Sequence, residues 1–255
     1  VRADYLVVMK QYEAVIEALK QLGGVATLGQ LYQVVFKIGD CQWNTKTPFA
    51  SVRRIVQERK EIYKIKPGLW ALDSCRKQLE ANGFIVETAH NSDSIQLKDF
   101  NHSYYQGLLL EIGNCRDLLT YVPEQDKNKK YAGTTLKEIR TLNQIPPFSF
   151  PELVHRSSTI DVIWFNERRM PHAFFEVEHS TDIQNSLLKF FDLQDFYCKM
   201  FIVADNRRRD EFEKKLHYSA FDDLVNHKRV QFLGYNTLNK LYTLTIESIR
   251  NPLFL

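Results

Sequence analysis

A chain of 255 residues with 44% hydrophobic and 13% aromatic side chains can bury a sizeable core, as one large domain or two smaller ones. No apolar run approaches the roughly 20 residues that span a bilayer, and the N-terminus alternates charged and apolar residues without a leader pattern, so a cytoplasmic protein is expected. The formal net charge of +3 is uneven: residues 1–75 carry 11 Lys/Arg against 7 Asp/Glu, so the basic excess is N-terminal.

Residues 4–22 place Tyr5, Val8, Met9, Tyr12, Val15, Ile16, Leu19 and Leu22 at helical spacing, and Gly23-Gly24 ends the pattern. Thr27 can cap a second helix over residues 27–36. Thr47-Pro48 opens a third, whose apolar side is Phe49, Val52, Ile55 and Val56. The strands EIYKIK and LWAL, joined by Pro67-Gly68, follow as a wing. Helix, helix, helix, wing is the order of a winged helix-turn-helix over residues 1–75.

Basic residues concentrate there. Lys46, Arg53, Arg54, Arg59, Lys60, Lys64 and Lys66 stand against only Glu58 and Glu61. A solvated face gives such a cluster in isolation. In a winged helix the third helix enters the major groove, which makes Arg53 and Arg54 the leading DNA-contact candidates, with Lys46, Arg59 and Lys64 around them. The run ThrPro, Val-x-x-Ile, Tyr-x-x-x-ProGly-x-Trp-x-Leu resembles the HARE-HTH winged domains over residues 5–72. That resemblance implies binding to double-stranded DNA and fusion to a restriction endonuclease.

Residues 76–100 hold a short helical piece, RKQLEAN, and then a polar, turn-rich stretch that reads as a linker. Residues 102–121 form a strong helix with Glu111 among apolar neighbours. The polar loop of residues 123–133 carries Lys127, Lys129 and Lys130, of which Lys127 and Lys130 are phosphate-contact candidates. Residues 134–142 form another helix, and the prolines of IPPFSFP interrupt any regular element after it.

Residues 159–178, TIDVIWFNERRMPHAFFEVE, place Asp161 in one apolar run and Glu176 and Glu178 in a second, with a charged turn between. The runs are too short for helices and rich in Ile, Val, Phe and Trp, so they read as a hairpin. Side chains two apart on a strand share a face, so Glu176 and Glu178 point together and an antiparallel neighbour brings Asp161 alongside. An ionised carboxylate in a dry strand costs several kcal/mol in rough terms unless a cation or donor compensates it. Three such groups suit a hard cation, Mg²⁺ or Mn²⁺, held by oxygen. His172 and His179 flank the acids; an isolated His beside a strand is more often a hydrogen-bonded surface residue than a base.

Asp161, then Glu176-Val177-Glu178, then a helix opening SerThrAspIleGlnAsn, resembles the PD-(D/E)XK restriction-endonuclease-like nucleases. The family most often has Lys at the third motif position, where this chain has Glu178. The resemblance implies that Asp161 and Glu176 hold the metal, and that Glu178 either completes a second metal position or accepts a proton from the attacking water. It makes Glu111 an accessory acid and Lys189 the ammonium that replaces the motif lysine.

The remaining elements alternate as helix, strand, helix, strand, helix, which with the hairpin makes a mixed sheet flanked by helices over residues 101–255. No GxGxxG, GxxxxGK[ST] or GxSxG motif is present, so no nucleotide cofactor is expected. Cys41, Cys75, Cys115 and Cys198 form no CxxC pair and read as reduced thiols. The combined expectation is a Mg²⁺-dependent DNA endonuclease of the type II or modification-dependent restriction class, acting as a homodimer because two strands need two sites. A winged-helix regulator with a non-catalytic C-terminal domain and a structure-specific repair nuclease are the other classes that fit these elements.

Overall fold

The computed structural model of the chain describes residues 9–39, 41–88, 90–92, 94–179 and 182–250. It divides into two compact units, Val1–Ser92 and Asp93–Leu255. Of the residues read above, Asp4, Tyr5 and Val8 in the first helix and Ser180 and Thr181 after the acids lie outside the described residues.

Unit one runs α1 (Gln11–Gln21), β1 (Val25–Thr27), α2 (Leu28–Val35), α3 (Pro48–Glu58), β2 (Ile62–Lys66), β3 (Leu69–Leu72) and α4 (Arg76–Ala81). The first helix begins at Gln11, because Met9 pairs with Cys41 in a β-bridge and Lys10 closes the end by donating its N–H to Glu13 at 2.8 Å. Thr27 caps α2, accepting from the Gln30 N–H while the Gln30 side chain takes the Thr27 N–H at 2.9 Å. Pro48 starts α3, whose Val52, Ile55 and Val56 are buried. The three strands pair antiparallel in the order β1-β3-β2, and β1 is an addition to the sequence expectation. Its three residues are too few to carry a period. Helix α4 lays Arg76 over the Tyr63 ring and buries Leu79.

Unit two runs α5 (Ile95–Cys115), β4 (Leu119–Tyr121), β5 (Lys130–Tyr131), β6 (Thr134–Thr135), α6 (Leu136–Ile139), α7 (Pro151–Ser157), β7 (Val162–Phe165), β8 (Pro171–Glu178), α8 (Ile183–Asp192), β9 (Lys199–Ala204), α9 (Arg209–Leu216), α10 (Asp222–Asn226), β10 (Val230–Gly234) and α11 (Tyr235–Arg250). Helix α5 starts seven residues before the expected position, where the Ser94 hydroxyl accepts the Leu97 N–H, and it stops at Cys115. Asp117 then adopts a left-handed φ of 57°, so Leu119–Tyr121 leaves the helix and becomes an edge strand. The expected helix of residues 134–142 shrinks to one turn, and Pro151 opens the short helix α7 that was not anticipated.

The five strands lie in the order β10-β9-β8-β7-β4, with β8, β9 and β10 parallel and β7 and β4 antiparallel to their neighbours. This is a mixed sheet flanked by helices. Alternation sends Ile163, Phe165, Phe174, Met200 and Ile202 into one core with Ile183, Leu187 and Phe190 of α8 and Phe212 of α9. The opposite face carries Trp164, whose indole N–H reaches the Leu109 carbonyl of α5 at 3.0 Å. Tyr105 of α5 stacks on Tyr235 of α11, 3.7 Å between ring centres, so the two helices share that side.

Gly107 lets α5 approach the small β5-β6 hairpin, since a Cβ there would sit 2.2 Å from Cδ2 of the buried Tyr131. Gly→Ala within a helix normally gains up to about 1 kcal/mol. Overpacking a filled core costs about 1–3 kcal/mol and should win here. Gly107→Ala is therefore expected to lower the unfolding free energy in urea titrations, and a stabilised variant would contradict this packing.

Candidate active site

The hairpin β7–β8 and helix α8 bring the acids together. Val162 pairs with Phe175, so Asp161 enters the sheet beside Glu176. Its Oδ2 accepts the Val177 N–H at 2.7 Å, and its own N–H points at Glu176 Oε1 at 3.4 Å. Glu176 is 2% exposed and Glu178 4%. Both face α8, where the Ser186 hydroxyl lies 3.0 Å from Glu176 Oε2 and also contacts Glu178.

Lys189, one turn further along α8, places Nζ at 3.0 and 2.8 Å from the two Glu176 oxygens and at 2.9 Å from the Thr159 carbonyl. The ammonium thus joins α8, β8 and the segment leading into β7. Asp161, Glu176 and Lys189 form one contact group, and Glu178 is attached through Ser186. Arg208 approaches Glu178 at 4.0 Å, and the Tyr235 hydroxyl donates to the Glu178 carbonyl at 3.2 Å.

Glu111 is placed elsewhere. It accepts the Tyr242 hydroxyl of α11 and, with burial, helps push the Tyr131 phenol up. His102, not Glu111, is the α5 residue beside Asp161, and nine residues at 1.5 Å each separate the two by about 13 Å along the axis. His172 is exposed, and His179 packs against the Tyr235 ring.

Three residues that the sequence reading missed complete the other side of Asp161. His102 Nε2 lies 3.4 Å from Asp161 Oδ1 and 3.8 Å from Asp126 Oδ2. Gln106, one turn on, donates to Asp126 at 2.7 Å and to the Asp161 carbonyl at 3.2 Å. Lys129 pairs with Asp126 at 2.7 Å. His102, Asp126 and Asp161 each offer an atom within 4.8 Å of the others, a spacing that could hold a metal ion.

The electrostatics follow from this crowding. Burial and the Asp161 carboxylate push Glu176 up to about 8, against the pull of Lys189. Burial disfavours a charged imidazole, yet Asp161 and Asp126 hold His102 up at about 10. Burial also opposes ionisation of Asp126, but donors from His102, Lys129 and Gln106 outweigh it and keep the carboxyl well below the usual range.

The proposed DNA contacts differ in availability. Arg54, Lys46, Lys64 and Lys130 are exposed and Arg53 is half-buried, whereas Arg59 chelates Glu61 at 2.5 and 3.2 Å over the Tyr12 ring. Lys127 pairs with Glu124 at 2.6 Å.

Because Glu176 binds its proton more tightly folded, at about 8, than unfolded, near 4.5, the folded state holds the extra proton between those values. Its stabilising contribution is complete below about pH 4.5 and lost as pH rises through 8. Glu176→Gln should flatten the fall of melting temperature across this window, leaving the part due to His102. An unchanged slope would mean that Glu176 is ionised throughout.

The profile of the Type II restriction enzyme NmeDI C-terminal domain matches residues 85–251. Among curated proteins, the chain is 26% identical over 172 residues to the Type II restriction enzyme NmeDI of Neisseria meningitidis serogroup C, covering 64% of this chain and 48% of that protein. The chain therefore spans about half the length of this curated relative. No solved structure matches it. The matched segment contains every residue of the acid site, from His102 and Asp126 through Asp161, Glu176 and Glu178 to Lys189, and takes in well over half of the chain, which belongs to the family of the Type II restriction enzyme NmeDI C-terminal domain.

Proposed function

We propose that the chain is a metal-dependent DNA endonuclease of the type II or modification-dependent restriction class, with a PD-(D/E)XK-like site at Asp161, Glu176 and Lys189. The observation that carries this reading is a buried carboxylate, Glu176, beside Asp161, with Lys189 donating to both of its oxygens. A lysine delivered from α8 stands in for the strand lysine that this chain replaces with Glu178. Family membership supports a restriction enzyme independently of this geometry.

The donor set fits a hard divalent cation. The Asp161 N–H lies 3.4 Å from Glu176 Oε1, so the two acids are neighbours, and the Asp161 carboxylate helps raise the proton affinity of Glu176, which marks a place where positive charge is wanted. Asp161 and Glu176 would hold Mg²⁺ or Mn²⁺, which supplies Lewis-acid neutralisation of the phosphoryl oxygens. Lys189 holds its ammonium against the Thr159 carbonyl, where it can orient a water or a phosphoryl oxygen. Glu178, tied to Glu176 through Ser186 and faced by Arg208, is in place to take up a proton or fix the Glu176 carboxylate. Hydrolysis then requires one water oxygen to attack phosphorus while the 3′ oxygen leaves.

Unit one, through α1, α2, α3 and the β2–β3 hairpin, is read as a winged helix binding double-stranded DNA through α3. Cutting two strands calls for a homodimer or a transient pair.

Asp161→Ala should reduce plasmid cleavage at least 10²-fold with the fold retained, in keeping with loss of a charge-stabilising group. Lys189→Ala should do the same, and full activity in either variant would remove the site from the mechanism. Arg53→Ala/Arg54→Ala should weaken duplex binding and lower its salt slope by up to about one per lost phosphate contact. Cleavage at saturating protein should persist. Wild-type affinity and slope would exclude α3 as the reading element.

A further inference from the structure

The sheet has a second charged end. Where β9 and β10 begin, a pocket of about 420 Å³ is lined by His172, Tyr197, Lys199, His227, Lys228 and Arg229, together with Cys198 and Gln231. No carboxylate is among its lining residues. Among the described residues, no acid pairs with Lys199 or Lys228, whereas most other cations near the acids are matched. The tight turn before β8 adds exposed Arg168 and Arg169 at the same end of the hairpin.

Each element aims its group there for a local reason. Trp164 pairs with Ala173 and Phe165 with Pro171, so His172 is the extra residue of a β-bulge and is turned out to solvent. Arg229 is held by the Gln194 and Phe196 carbonyls at 2.6 and 2.8 Å, with its guanidinium 5.4 Å from the ring of Tyr197, itself 95% exposed. His227 gives Nδ1 to the Asp223 carbonyl at 2.7 Å, which turns Nε2 away from its helix. Lys228 follows at a left-handed φ of 51° and ends α10 next to them.

Lys199 pairs with Ala173, three residues before Glu176 and five before Glu178 on the same strand, so at about 3.3 Å per residue the pocket lies about 10 Å along the sheet from Glu176 and about 17 Å from Glu178. The geometry points to a phosphate-binding pocket at this end of the sheet, taking a backbone phosphate of DNA or a free phosphate ester at a distance from the cleavage site. Gathered unpaired cations repel one another and favour a multiply charged anion. An arginine fixed by carbonyls and two lysines offer donors to the oxygens of a phosphate. The exposed Tyr197 ring gives a sugar or base a surface to lie on. This inference concerns a separate pocket and does not require the nuclease reading.

The test uses the full chain and the double variant Lys199→Glu/Lys228→Asn, whose side chains are exposed and whose second substitution suits a left-handed backbone. Matching thermal melts verify the fold. Pyrophosphate titrated into the labelled wild type should shift amide resonances of residues 197–199 and 227–231 saturably, and the double variant should lose these shifts. Absence of such shifts, or equal shifts in both proteins, overturns the pocket. A duplex titration separates the sources: a salt slope lower by about two in the variant, with cleavage at saturating duplex unchanged, assigns the phosphate to the DNA backbone. Pyrophosphate shifts lost with duplex binding unaltered assign it to a free phosphate ester. A wild type that binds pyrophosphate but neither binds nor cuts DNA would sink the nuclease proposal and leave the pocket standing.

Discussion

The contact between Lys189 and Glu176 is the constraint on which the C-terminal unit turns. Glu176 is almost wholly buried, and the ammonium touches both of its oxygens and the Thr159 carbonyl. Deleting Lys189 leaves the buried Glu176 carboxyl without these hydrogen bonds, at a cost of about 1–3 kcal/mol. Helix α8 is therefore obliged to sit with Lys189 and Ser186 over β8. The apolar residues Ile183, Leu187 and Phe190 meet the sheet from the same helix, so packing and electrostatics select one placement.

Asp161 joins this group to a second one. Its carboxylate is gripped by the Val177 N–H on the strand side and approached by His102 on the helix side. Gln106 then bridges its carbonyl to Asp126, which Lys129 also holds. The acids at this end are thus compensated by cations and donors from α5, α8 and the loop after β4. The opposite end of the sheet gathers cations with little acid around them, and the unit is polar along its strands.

Asp161, Glu176 and Glu178 are legible in the chain because charge in a short apolar run violates the expected pattern, and period two puts the glutamates on one face. Lys189 is legible only through the family resemblance, since a lysine on an amphipathic helix is ordinary. His102, Gln106 and Asp126 carry no local signal: Gln106 meets Asp126 across 20 residues and Asp161 across 55. The contact of Glu111 with the Tyr242 hydroxyl is likewise invisible in sequence, since 131 residues separate the two. The long elements are readable from periodicity, whereas β1, β4 and α7 are short and are fixed by pairing, by the positive φ of Asp117 and by Pro151.

The bulge at His172 has an evolutionary consequence. A one-residue shift of β8 against β7 would swap Glu176 for Val177 on the α8 face, so insertions near the acids are forbidden. The irregularity lies between Trp164 and Phe165, at the far end of the hairpin, and the partners from Val162 to Trp164 stay in step. Length variation in the turn of residues 166–170 can be absorbed there before it reaches Asp161. Relatives should accordingly differ freely in the hairpin tip while conserving the spacing from Ala173 to Glu178, so that one hairpin has a variable end and an invariant end.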